Sequence, residues 1–116
     1  MLKEAEEALS KLNKNDISEI KGFPNPPLIV VMVLEAVCVL LGEKTDWASA
    51  KQVMMQVDFL EKLQKFDRAN ISEATLRRLR TLTSKPDFDP VFVAQKSLAC
   101  KSLCLWCRAI DNYARV

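Results

Sequence analysis

The stretch GFPNPPL, residues 22–28, places Pro24, Pro26 and Pro27 in a chain that otherwise holds few helix breakers and only two glycines. Proline lacks a backbone N–H and disfavours helical geometry at the residue before it, so no helix runs through this segment. The preceding helix is expected to stop near Lys21. The next is expected to start with Pro26 or Pro27 in its first turn and Asn25 as its N-cap. Directly after the prolines lies the most apolar part of the molecule: from Leu28 to Leu41 the only charge is Glu35. That pattern predicts a helix buried on nearly every side and stopped at Gly42. At roughly 1.5 Å per residue it reaches about 21 Å, short of a hydrocarbon core of about 30 Å, so no membrane span is expected.

Ala, Leu, Lys, Glu and Arg are abundant and no alternating β-branched run occurs, which reads as an all-α protein. With 116 residues, 49% of them hydrophobic, the chain suffices for one domain with a real core. Four cysteines at irregular spacing, with no secretory leader, fit a reducing, cytosolic compartment better than a disulfide framework. The absence of histidine excludes a catalytic triad and a histidine metal site, and Gly22 and Gly42 alone cannot build a phosphate loop. No enzymatic activity and no cofactor are expected. Cys100, Cys104 and Cys107 share a helical face, but three thiols on one helix with no fourth ligand nearby make a poor zinc site. They are read as packing residues, and no metal is expected.

Both ends of the chain carry heptad seams. Leu2, Ala5, Leu9 and Leu12 are spaced three, four, three, and Ala99, Leu103, Trp106, Ile110 and Tyr113 are spaced four, three, four, three. The first seam slips, because Ile17 lies five residues after Leu12, so the stripe must rotate or the register must change. Neither seam ends in a stop signal, which suggests a segment excised from a longer chain. The two ends are expected to pair as antiparallel helices, with Leu9 and Leu12 facing Leu103, Trp106 and Ile110. A plain bundle whose first and last helices are neighbours is the alternative.

Between the seams, Thr45 or Asp46 is expected to cap a helix anchored by Trp47, and Phe59, Leu60, Leu63 and Phe66 mark a short one-sided helix. Ser72 should cap a helix with Leu76, Leu79 and Leu82 inward and Arg77, Arg78 and Arg80 outward. Asp89 and Pro90 should start a final helix that continues unbroken into the C-terminal heptads, a rod of about 27 residues and roughly 40 Å. Glu35 is either a buried carboxylate with a partner or the exposed edge of the central helix. In the second case some apolar surface is displayed beside it.

The net charge of +2 hides an asymmetry. Residues 1–61 sum to −4, whereas residues 62–101 sum to +5 through Lys62, Lys65, Arg68, Arg77, Arg78, Arg80, Lys85, Lys96 and Lys101. Such an excess is a solvated helical face, a site for an acidic protein surface, or a site for nucleic acid phosphate. Helical DNA readers usually present Asn, Gln or Arg at the start of a recognition helix, and the helix after Ser72 opens with Glu73, so nucleic acid is the weaker reading.

The ordered strings NPP, EAVCVLLGEKTDW, NISEATLRRLR, SLACKSLCLW and NYA resemble the microtubule-binding domain of a dynein heavy chain with the distal part of its coiled-coil stalk. The resemblance covers essentially the whole chain, and SLCLWCRAIDNYARV is more similar to axonemal than to cytoplasmic heavy chains. It implies a bundle of about six helices at the tip of an antiparallel two-helix coiled coil. Residues 1–22 would be the outgoing stalk helix, 23–97 the head and 98–116 the return helix, with Pro24, Pro26 and Pro27 at the junction. It implies α/β-tubulin and the rest of the heavy chain as partners, no nucleic acid or membrane, and a cytoskeletal, ciliary or flagellar location. Lys62, Lys65, Arg68, Lys96 and Lys101 would be the principal contacts and Arg77, Arg78 and Arg80 secondary ones. ATP hydrolysis would lie elsewhere in the parent motor, with sliding between the stalk helices setting affinity. Two departures are expected to matter: Val31 stands where some relatives carry lysine, and Ser102 lies near a position where some carry proline.

Overall fold

The computed structural model describes residues 2–67 and 69–114, the side chains of residues 2–5 excepted. Among the described residues every regular element is an α-helix: α1 (Leu2–Ser10), α2 (Lys14–Lys21), α3 (Leu28–Leu41), α4 (Trp47–Met55), α5 (Phe59–Gln64), α6 (Glu73–Thr83), α7 (Pro90–Lys96) and α8 (Leu98–Ala114). The all-α expectation holds.

The seam slip after Leu12 is resolved by a break, which corrects the single outgoing helix expected over residues 1–22. Asn13 leaves helical geometry at φ −130° and ψ 177°. Its Oδ1 accepts from the Asp16 N–H at 3.0 Å, while Asp16 Oδ2 accepts from the Asn13 N–H at 3.1 Å. This reciprocal capping box satisfies otherwise orphaned donors and starts α2 afresh. Leu9, Leu12, Ile17 and Ile20 are therefore all buried without the stripe winding around one helix.

The proline segment separates α2 from α3 as expected, but Asn25 is not the cap. Pro27 occupies the N-cap position at φ −56° and ψ 146° without a side-chain cap, two residues beyond the predicted cap. The Pro27 carbonyl accepts from Val30 and Val31 at 3.0 and 3.1 Å. At the other end Gly42 takes the left-handed conformation, φ 74°, and the Glu43 N–H reaches back to the Cys38 carbonyl at 2.9 Å. This closure satisfies terminal carbonyls with a residue that lacks the Cβ penalty.

Helix α3 runs through the centre, against α4, α6, α7 and α8. Val30, Val33, Leu34, Val37 and Cys38 are buried, while Val31 and Glu35 are half-buried along its one wet edge. The caps predicted at Asp46, Ser72 and Asp89 each accept a backbone N–H in the first turn. Leu79 and Leu82 point inward as expected, and Leu76 is half-buried.

The last helix is not continuous with α7, which corrects the expected 27-residue rod. Ser97 is extended at φ −160° and ψ 117°, and its buried Oγ accepts from the Cys100 N–H at 3.1 Å. A serine that can cap is better satisfied at a helix start than inside one, so α8 begins immediately after it and α7 folds back against α8. Helix α1 packs along α8, and α2 lies between α8 and α4.

Candidate functional site

The basic residues singled out in the sequence fall into separate groups. Lys62 and Lys65 are both exposed at α5, which faces outward because Phe59 and Leu63 bury its other side. They line one surface cavity of about 490 Å³ with Leu41, Glu43, Val53, Asp58 and Glu61. Lys62 Nζ donates to Gln56 Oε1, and Lys65 Nζ pairs with Glu61 at 2.7 Å while remaining 74% exposed. The hydrogen bond it donates to Glu61, with the charge of that carboxylate, holds the Lys65 ammonium above its ordinary pKa. At a fully wet site that pair contributes little to stability and is open to exchange for an external anion.

Lys96 and Lys101 flank the Ser97 break. Lys96 is exposed at the end of α7, and Lys101 is half-buried, its backbone N–H donating to the Ser97 carbonyl at 3.2 Å. Arg77 and Arg78 are exposed on α6. Among the described elements α5 packs on α1 and α4 and not on α6, α7 or α8, and none of these other bases lines the cavity of Lys62 and Lys65. Arg68 lies outside the described residues.

Arg80 departs from its expected role as a secondary outward contact. Its Nε donates to Asp111 Oδ1 at 3.2 Å, and Thr83 Oγ1 donates to Asp111 Oδ2 at 3.3 Å. Asp111 is 5% exposed, so the charge on Arg80 is committed to an inward partner on α8. A further tie, Arg108 Nη1 to the Phe88 carbonyl at 2.9 Å, binds α8 to the loop before α7. Sequence reading passed over Asp111 although a signal existed. With Cys100, Cys104 and Cys107 it completes a spacing of four, three, four on one buried helical face, and an acid continuing such a stripe requires a partner.

The seam residues Leu9, Leu12, Leu103, Trp106 and Ile110 are all buried, and Phe66 meets Trp106 edge-on with ring centroids 5.5 Å apart. The four cysteines are buried free thiols. Burial raises Cys38 to about 11 and Cys104 to about 12, and pushes Cys100 and Cys107 well above the ordinary thiol value. Buried thiols of this kind fill the core as small hydrophobic groups.

Exposed apolar side chains escaped specific prediction. Leu28 is 86% exposed at the start of α3, Leu98 73% exposed at the start of α8, and Val91 and Phe92 lie outward on α7. Each stands in the first turn of its helix, where the inward face is set by the turns beyond it. No described helix is long and apolar enough to cross a membrane.

The family model described as the microtubule-binding stalk of dynein motors matches residues 1–116. Human dynein axonemal heavy chain 2 is 43% identical over 115 residues, covering 99% of this chain and 3% of that protein. Human dynein axonemal heavy chain 6 is 47% identical over 103 residues, covering 89% of this chain and 2% of that protein. The chain thus spans only a few hundredths of the length of these relatives. A solved structure of the microtubule binding domain of dynein-c superposes with a TM-score of 0.85 at 34% identity, covering 98% of this chain and 83% of that one. None of these matches supports the nucleic-acid reading. A match over the whole length in family model, sequence and fold leads to one conclusion: the chain belongs to the family of microtubule-binding stalks of dynein motors.

Proposed function

We propose that this chain is the non-catalytic tip of a dynein stalk and binds α/β-tubulin in the microtubules of ciliary or flagellar axonemes. The parent heavy chain would hydrolyse ATP in a distant motor ring. The observation that carries this reading is the family match over all 116 residues, on a fold that leaves Lys62, Lys65, Lys96 and Lys101 at least partly exposed. An acidic protein surface would draw these lysines by long-range attraction and hold them with ion pairs worth about 1 kcal/mol or less each when exposed. Arg77 and Arg78 are assigned a secondary role, and Arg80 an internal one. The exposed Leu28 and Leu98 supply apolar contact where the lysines alone would give a purely salt-sensitive association.

We assign the stalk to α1 and α8, with α2 joining the head because it packs on α4 as well as α8. The register of α1 on α8 would set affinity. Cosedimentation with microtubules across a salt series, with duplex DNA as competitor, tests the assignment. Binding that weakens with salt and withstands the competitor is expected; displacement by DNA, or no binding at low salt, refutes it.

A further inference from the structure

A groove of about 240 Å³ lies between α2 and the turn that joins α4 to α5. Ile17, Met54 and Phe59 form its buried apolar floor, and on its rim Met55 is 65% and Val57 93% exposed. Among the described residues that line it, Lys14 and Lys21 are the only charged ones. We propose that this groove docks an acidic amphipathic helix of a partner protein other than tubulin, with apolar side chains seated against Met55 and Val57 and two carboxylates on Lys14 and Lys21. The site uses none of the basic residues assigned to tubulin above.

Four observations support the assignment. First, the groove is smaller than the roughly 300–1,000 Å³ of small-molecule sites, a size that suits the anchoring side chains of a peptide better than a whole metabolite. Second, its charge runs against its surroundings. Residues 1–61 sum to −4, yet this groove gathers only bases. Asp16 is engaged with Asn13 in the capping box, and Asp58 lines the separate cavity of Lys62 and Lys65. An acidic occupant is therefore the complementary one. Third, Lys14, Ile17, Ser18 and Lys21 follow one another at i, i+3, i+4 and i+7, a single face of α2. The two lysines are rooted about 10.5 Å apart along the helix. A partner helix with acids seven residues apart and apolar residues between them repeats that spacing. Fourth, the apolar rim is preformed. The Gln56 N–H donates to the Val53 carbonyl at 3.2 Å and the Phe59 N–H to the Gln56 carbonyl at 3.1 Å, so the turn that displays Val57 is tied at both ends. A fixed rim lowers the ordering cost of binding, and methionine beside it adapts to the side chain it receives.

The test is fluorescence anisotropy with the full chain and a labelled alanine-rich peptide of about 15 residues, long enough for a helix to form on docking. The peptide carries glutamates seven residues apart on one face and leucines three and four residues after the first glutamate. A control peptide has lysine at both glutamate positions. The acidic peptide is expected to bind saturably below about 1 mM, and the control about tenfold more weakly or worse. Lys14→Ala with Lys21→Ala is expected to weaken the acidic peptide about tenfold and to leave microtubule cosedimentation unchanged. Val57→Asp, at a side chain too exposed to support the core, is expected to weaken it about as much, which keeps the test sound if the double lysine variant fails to fold. Equal binding of the two peptides, no saturable binding of the acidic one, or indifference to Val57→Asp overturns the proposal. Displacement of the acidic peptide by microtubules also overturns it, because the groove would then belong to the tubulin-facing surface. If the acidic peptide binds as expected while the chain does not cosediment with microtubules, the tubulin assignment fails and the docking groove stands.

Discussion

Arg80 and Asp111 are joined at 3.2 Å across α6 and α8, with the carboxylate side chain 7% exposed and the guanidinium side chain 36% exposed. The pair fixes α8 to α6 at a defined place, with Thr83 adding a second bond to the same carboxylate. A charge beside the apolar seam resists displacement because moving it one turn would strand a buried carboxylate.

Arg80→Ala is accordingly expected to destabilise the fold by about 2 kcal/mol, less than for a fully buried pair because the arginine is partly wet. Asp111→Asn should be milder, since an amide oxygen still accepts from Thr83 or Arg80. Urea unfolding of both single variants and the double variant checks this. Equal losses for Arg80→Ala and Asp111→Asn, strictly additive in the double variant, would exclude coupling between them.

At the break between α1 and α2, Asn13→Ala removes the acceptor for the Asp16 N–H. The expected loss is about 1 kcal/mol, or a fall in melting temperature of roughly 3–5 °C. An unchanged melting temperature would mean that the chain prefers a continuous helix there.

The buried thiols make stability fall at high pH. Cys38 and Cys104 are raised to about 11 and 12 from an ordinary value of 9. Above pH 9 the unfolded chain therefore releases these protons while the folded chain keeps them, so stability declines as pH rises through the window from 9 to 12. Each such thiol contributes a slope of about 1.4 kcal/mol per pH unit, and nothing below about pH 8. Denaturation at pH 8, 9.5 and 10.5 should show a shallower decline for Cys104→Ala than for the native chain. Identical declines would place the titration elsewhere.

Neutralising Lys62 or Lys65 singly should weaken microtubule binding about threefold to fivefold, and both together more. Arg77→Ala should do less. The effect should shrink in added salt, because wet charges are screened beyond about 10 Å at 0.1 M. Cosedimentation at two salt concentrations measures it, and a larger loss for Arg77→Ala would reverse the ranking of the two surfaces.

The sequence by itself determined the all-α class and several helix ends: prolines forbid a helix through 22–27, Gly42 permits the left-handed stop, and Asp46, Ser72 and Asp89 offer acceptors to free N–H groups. It also determined the buried stripes, since Leu9, Leu12, Leu103, Trp106 and Ile110 recur at the spacing of one helical face. These are local properties, set within a few residues. Only the tertiary structure decided that Ser97 caps α8 rather than lying inside a rod, that Arg80 turns inward to Asp111, and that α5 leans on α1. Each depends on how elements meet in space. A side chain's hydrogen bonds and burial are chosen by which surfaces come together in three dimensions, and periodicity along one helix does not specify its neighbour.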